Sequence, residues 1–460
     1  MGDFDSDLEH FVSQAMPVYR EQLGTLVGIP SISAEPKHRG DIDKVVEVMR
    51  TYASAFGFQA DVIQTPGNPI LVARLEVDPS APWANVYNHL DVQPAEEVEW
   101  TTDPFNPVVN DEMIIGRGAT DDKGPALTIL HAIHFLQRTG RLRTNVQLTY
   151  ETEEEIGSDN FGSFLDQNQI LTRPDSVLIS DTTFEGDNPA ITYRLRGVVT
   201  ALLRRKTGTK WAHSGSIGNL AKNPLTILSY AAAQCIDVKT GEVLIPGFYD
   251  GMLEPTARER ENIYTLLRHF DLAKFKDDMG CDALYTDDPR EALLRKGFRP
   301  SFEIHGNQGG YNGDGVKTVI PYDVEVKVSM RLVPGQDPKR VLEFLRTYMK
   351  SIDPAIEVIG GHGIPACMTQ IDSLFIERAT EACTYGFGKP ALRIAEGGSI
   401  GATTEFQRVW PKVPIVMLAQ SLNSDGYHAP NEHFRFSQAA AGMKTMARYL
   451  SSIGDLRTAR

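Results

Sequence analysis

Leu8, Phe11, Val12, Tyr19, Leu23 and Leu26 recur at helical spacing, and Ile42, Val45, Val46, Met49, Ala53 and Phe56 repeat the pattern. The chain is therefore expected to open with two amphipathic helices. Short β-prone runs follow at Ile70 to Leu75, Ala84 to Tyr87, Asn145 to Tyr150 and Ser176 to Ile179, with an apolar helix from Gly124 to about Gln137 among them. From about Ala190 the texture changes. Val324, Val326, Val328 and Met330 alternate with Glu325, Lys327, Ser329 and Arg331, as on a sheet with one wet face. A helix at Arg340 to Met349 and a strand at Ala355 to Ile359 are predicted next. The apolar run Val413 to Leu418 then matches the earlier buried strands, so the chain is expected to return to its first unit.

These elements predict an α/β protein of two domains. Residues 1–194 and 376–460 form the first, a mixed sheet flanked by helices, and residues 195–375 form an inserted α+β domain. The length of 460 residues agrees, since a single domain usually takes about 100 to 200. No repeat of 20 to 50 residues points to a solenoid. The Gly- and Asn-rich stretch His305 to Gly315 lacks the Lys-Ser/Thr ending of a phosphate-binding loop and reads as a mobile loop.

Composition narrows the classes. A formal charge of −14 repels phosphate backbones and anionic lipid, so neither nucleic acid nor a membrane surface is an expected partner. No apolar stretch reaches the roughly 20 residues of a membrane span, and the acidic opening Met-Gly-Asp-Phe-Asp-Ser does not read as an export signal. Four scattered cysteines without a Cys-x-x-Cys argue against disulfides and thiolate zinc, and a cytoplasmic location is expected.

The chemistry sits where short apolar strands stop. His89-Leu90-Asp91 follows Ala84 to Asn88, Glu153-Glu154-Glu155 follows Val146 to Tyr150, Asp181 follows Ser176 to Ser180, and His428 stands some ten residues after Leu418. Asp121-Asp122 opens the apolar helix. Each alone has a plain structural reading: a surface turn, a solvated acidic face, a helix N-cap. Their coincidence at strand ends and one helix start is what points to a site, because ligand crevices of open α/β sheets lie at the carboxyl ends of strands. Carboxylate with imidazole suits zinc, manganese or cobalt. Two such ions need a bridging carboxylate, further ligands on each side and a separate carboxylate as base; Glu154 and Glu155 can divide the roles of base and ligand, and Asp91 can orient His89.

The sequence resembles the co-catalytic metallopeptidase family of carnosinases, cytosolic nonspecific dipeptidases, aminoacylases and bacterial glutamate carboxypeptidases. The resemblance rests on His89-Leu90-Asp91-Val92-Gln93-Pro94, on Gly116 to Pro125, on Glu153-Glu154-Glu155-Ile156-Gly157-Ser158, on Ile179-Ser180-Asp181 and on Ala212-His213-Ser214-Gly215. It continues with Leu244 to Asp250, Lys317 to Pro321, Arg331 to Pro334, Glu396-Gly397-Gly398-Ser399-Ile400 and His428, in family order over nearly the whole chain.

The resemblance implies two zinc or manganese ions per subunit, His89 and Asp181 on one, His428 and Glu155 on the other, and Asp121 bridging. It makes Glu154 the general base, with Asp91 behind His89. The Asp121–Asp122 peptide bond is expected to be cis. The insertion becomes a lid and homodimerisation domain, with His213 on the oxyanion, Arg331 on the substrate carboxylate, and Thr318 and Ser399 as further contacts. The implied reaction is hydrolysis of an amide next to a free carboxylate, in a dipeptide; N-acyl amino acid deacylation, carboxypeptidase action or an inactive peptide-binding relative are the alternatives. One departure stands out: animal dipeptidases carry a His in an Asn-His-Pro-His stretch where this chain reads Thr369-Gln370-Ile371-Asp372-Ser373.

Overall fold

The computed structural model describes residues 3–95, 98–168 and 173–457. Its larger sheet has nine strands. Their order is Gln59–Ile63, Ile70–Leu75, Asn145–Glu151, Trp83–His89, Ser176–Ile179, Ile415–Leu418, Ala190–Leu195 and Cys367–Met368, with Leu392–Glu396 also paired to Ala190–Leu195. The central four, from Asn145–Glu151 to Ile415–Leu418, run parallel, and the neighbours on both sides include antiparallel strands.

Both faces of this sheet are covered, which is why its strands read as continuous apolar runs. Along Ile70–Leu75 the side chains alternate between two cores. Leu71, Ala73 and Leu75 join the helices Phe4–Val27, Gly124–Arg138, Leu374–Phe387 and Phe436–Ser452 on one face. Ile70 and Val72 join Phe161, Phe164 and Phe406, from the helices Phe161–Gln167 and Gly401–Val409, on the other. The two opening helices form as predicted, at Phe4–Val27 and Arg39–Ala55.

The second sheet has the order Ser301–Gln308, Asp323–Leu332, Gly197–Lys206, Glu357–Ile364 and is antiparallel throughout. Val324, Val326, Val328 and Met330 turn into a core closed by the helices Pro224–Ala233 and Pro338–Ile352, while Lys327 faces out. Two helices of the same stretch do something else. Ile263, Leu266, Leu293 and Phe298, from Ala257–Leu266 and Pro289–Phe298, pack with Tyr193, Leu392 and Ile394 of the large sheet. Residues 195–375 thus build the four-stranded sheet and the small pair Ala212–His213 with Val319–Ile320, and they also give the strand Cys367–Met368 and two packed helices to the large sheet.

Cys235, Cys281, Cys367 and Cys383 are all free. Among the described residues no helix is long and apolar enough to cross a membrane.

Candidate metal centre

The parallel strands end on one side of the large sheet, and the ligand-type residues stand at those ends. His89 is the last residue of its strand, Asp181 lies two residues beyond Ile179, and Glu155 sits in the tight turn Glu154–Ile156 that follows Glu151. Asp121 occupies the turn Ala119–Lys123, whose peptide bond Asp121–Asp122 is cis. That turn is entered through Gly118 at φ +86, where an added Cβ would lie 2.6 Å from Val92, so only glycine fits.

Two ligand triads form and share one residue. His89, Asp121 and Asp181 bring their ligand atoms within 4.8 Å of one another, and so do Asp121, Glu155 and His428. Asp121 divides its oxygens between them: Oδ1 is 2.9 Å from His89 Nε2 and Oδ2 is 3.0 Å from His428 Nε2. Glu155 Oε2 is 3.1 Å from His428 Nε2, and Asp181 Oδ2 is 3.9 Å from His89 Nε2. Two imidazole nitrogens and three carboxylates, one aimed both ways, are a donor set that fits a pair of divalent ions.

The electrostatics agree. Burial, reinforced by neighbouring carboxylates, raises Glu154, Glu155 and Asp181 above the usual carboxylate range. Burial would raise Asp121 too, but its hydrogen bonds with His428 and His89 hold it well below that range. Hydrogen bonds to Asp121 and Glu155 push His428 up to about 11. His89 is raised as well: burial opposes its charge, and the Asp121 and Asp91 interactions outweigh burial. Positive charge among these groups would stabilise the carboxylates and leave the imidazoles neutral, as ligands must be.

Glu154 belongs to neither triad. It lines a cavity of about 180 Å³ together with Asp121, Asp181, His428, Glu396, Ser399 and Tyr427. Asp91 serves two neighbours. Its carbonyl oxygen lies 3.0 Å from His89 Nδ1, and its carboxylate lies 3.5 Å from the same atom while accepting the backbone N–H groups of Glu154 and Glu155 at 3.2 and 3.1 Å. With Nδ1 engaged in this way, Nε2 is the nitrogen presented to Asp121 and Asp181.

The remaining candidates fall into two places. Arg331 donates through Nη1 to Ser399 Oγ at 3.0 Å, and Ser399 donates to the Arg196 carbonyl at 2.5 Å, so Arg331 reaches the cavity wall. His213 and Thr318 lie together elsewhere. The strand Ala212–His213 pairs with Val319–Ile320, the Thr318 carbonyl accepts the Ser214 N–H, and the exposed His213 accepts the Gly215 N–H at Nδ1. Neither is among the residues lining the cavity.

Several groups of the site went unassigned in the sequence. Glu396 opens a quoted motif, and its carboxylate, steadied by the Thr183 and Thr192 hydroxyls at 3.0 and 3.2 Å, lines the cavity. Tyr87, read in the sequence only as part of the β-prone run before His89, donates to Glu151 at 2.5 Å. Gln93 donates to Glu155 Oε2 at 2.8 Å, and its place in the His89 motif was the available signal.

Residues 86–452 match the family described as Peptidase family M20/M25/M40. The chain is 30% identical over 460 residues to the Cys-Gly metallodipeptidase dug1 of Schizosaccharomyces pombe, covering 95% of each. Its fold superposes on the solved di-peptidase Dug1p of Saccharomyces cerevisiae with a TM-score of 0.87 at 26% identity, covering 98% of both chains. The metallo-carboxypeptidase Sso-CP2 of Sulfolobus solfataricus gives 0.88 at 28% identity, covering 95% of this chain and 99% of that one.

Proposed function

The chain belongs to peptidase family M20/M25/M40 and is a metallopeptidase, and from that premise we propose how it hydrolyses dipeptides. The observation that carries the reading is the Asp121 carboxylate split between His89 and His428. His89 and Asp181 would hold one divalent ion, His428 and Glu155 the other, and Asp121 both. Zinc or manganese bound there supplies Lewis acidity toward the carbonyl and a water acidic enough to ionise near neutrality.

Glu154 takes the proton of the attacking water and delivers it to the leaving amine. It lines the cavity beside Asp121, Asp181 and His428 while joining neither triad. Arg331 holds the substrate's terminal carboxylate, with Ser399 as a further contact; Thr318 lies beside His213, away from this cavity, and would act with it in the partner subunit's site. The Glu396 carboxyl group lines the cavity, where pairing with a substrate ammonium would favour a dipeptide over an N-acyl amino acid. A cavity of about 180 Å³ suits a substrate of that size. We read residues 195–375 as the lid and homodimerisation domain, bringing His213 to the oxyanion of the partner subunit's site, and we place the protein in the cytoplasm.

Metal-free protein supplied with zinc or manganese tests this against dipeptides, their C-terminal amides and N-acetyl amino acids. The proposal expects metal-dependent cleavage of the free dipeptides above both other classes. Faster cleavage of N-acetyl amino acids would replace it with a deacylase.

A further inference from the structure

We infer that Glu432 is a positioning residue for both metal positions: it aims the shared ligand Asp121 by gripping the backbone of the turn that carries it. The inference rests on the dinuclear reading above.

Glu432 is fully buried and belongs to neither ligand triad. Its carboxylate is saturated by four donors. Oε2 accepts the Gly118 N–H at 2.9 Å and Arg117 Nη1 at 3.0 Å, while Oε1 accepts the Thr120 N–H at 2.9 Å and the Asp121 N–H at 3.0 Å. A carboxylate has about four acceptor positions, so none is left for a metal ion or a substrate proton. The Glu432 carbonyl also accepts the Gly116 N–H at 2.8 Å. The buried Lys123 Nζ fastens the far end of the turn by donating to the Leu26 and Ile29 carbonyls at 2.9 and 3.0 Å.

The place of Glu432 in the chain gives this grip its consequence. It follows His428 by four residues, in a loop bent by positive φ at Gly426, His428 and Asn431. One loop therefore supplies a ligand of the second position and orients the ligand common to both. Asp121 must face His89 with one oxygen and His428 with the other, so a small rotation of its turn would misalign both triads together.

Glu432→Gln keeps the shape but exchanges one acceptor oxygen for a donor NH₂, leaving a pair of N–H donors facing it. Metal uptake by metal-free protein is measured by calorimetric titration, and the fold of that protein by thermal melting. Both dissociation constants should rise roughly 10- to 100-fold, the usual effect of losing a partner behind a ligand, while the metal-free melting temperature stays within a few degrees of wild type. Should Glu432→Gln fail to fold, Glu432→Asp, which retains the charge but cannot span both donor pairs, should show the same joint weakening. Unchanged affinity, weakening of one position alone, or weakening only alongside loss of the metal-free fold would each overturn the inference. Wild-type protein that takes up no pair of ions would instead overturn the dinuclear reading itself.

Discussion

Asp91 accepts the backbone N–H of Glu154 at 3.2 Å through Oδ1, so the residue behind His89 also fixes the turn that carries Glu154. Removing its charge loosens the imidazole and the carboxylate at once. Asp91→Asn is expected to lower kcat by roughly 10- to 100-fold at saturating metal, as steady-state kinetics will show.

Arg331 approaches the cavity through Ser399 at 3.0 Å. A charge-assisted hydrogen bond contributes about 1.5 to 3 kcal/mol, and lysine cannot copy the guanidinium fork. Arg331→Ala should abolish the preference for dipeptides over their C-terminal amides, a change of roughly 10- to 150-fold in relative kcat/KM. A variant that still discriminates as strongly would place the carboxylate elsewhere.

His213 is exposed and absent from the cavity lining, which suits action on a partner's site. Glu154→Gln and His213→Ala proteins, each inactive, can be mixed and allowed to exchange subunits. Half the dimers are then mixed, and each mixed dimer carries one complete site, so activity should return to about a quarter of wild type. Demonstrated exchange without recovery would remove His213 from the partner's site.

Away from the centre, His131 is buried between Tyr19 and Phe56, with Nε2 2.7 Å from Gln22 Oε1. Burial first, and His134 second, push it down to about 4. An unfolded histidine titrates near 6.5. The unfolded state therefore binds the extra proton as pH falls, so this stability is complete above pH 6.5 and is lost on the way to pH 4. Between pH 7.5 and 4.5 the metal-free wild type should lose about 2.5 kcal/mol more than His131→Gln in denaturant unfolding.

What the sequence disclosed follows from how each residue acts. The central strands are covered on both faces, so their apolar runs stop visibly, and His89, Asp181 and Glu155 stand at the stops. The alternation from Val324 to Arg331 was equally plain because one face of that strand turns outward. Glu432 left no such trace: it holds backbone N–H groups more than 300 residues earlier in the chain, and backbone donors carry no residue type. The helices Ala257–Leu266 and Pro289–Phe298 were hidden for a related reason. Their few apolar residues meet the large sheet across a gap in sequence that local periodicity does not bridge.

The proposed mechanism needs a two-ion site whose base is Glu154 and not Glu155. Glu154→Gln tests it most directly, with metal content by mass spectrometry and dipeptide turnover measured on the same preparation. Glutamine keeps the size and most hydrogen bonds but cannot accept the proton. Two ions per chain should be retained and turnover should fall at least roughly 10²-fold. Loss of one ion together with the activity would contradict it, by making Glu154 a ligand.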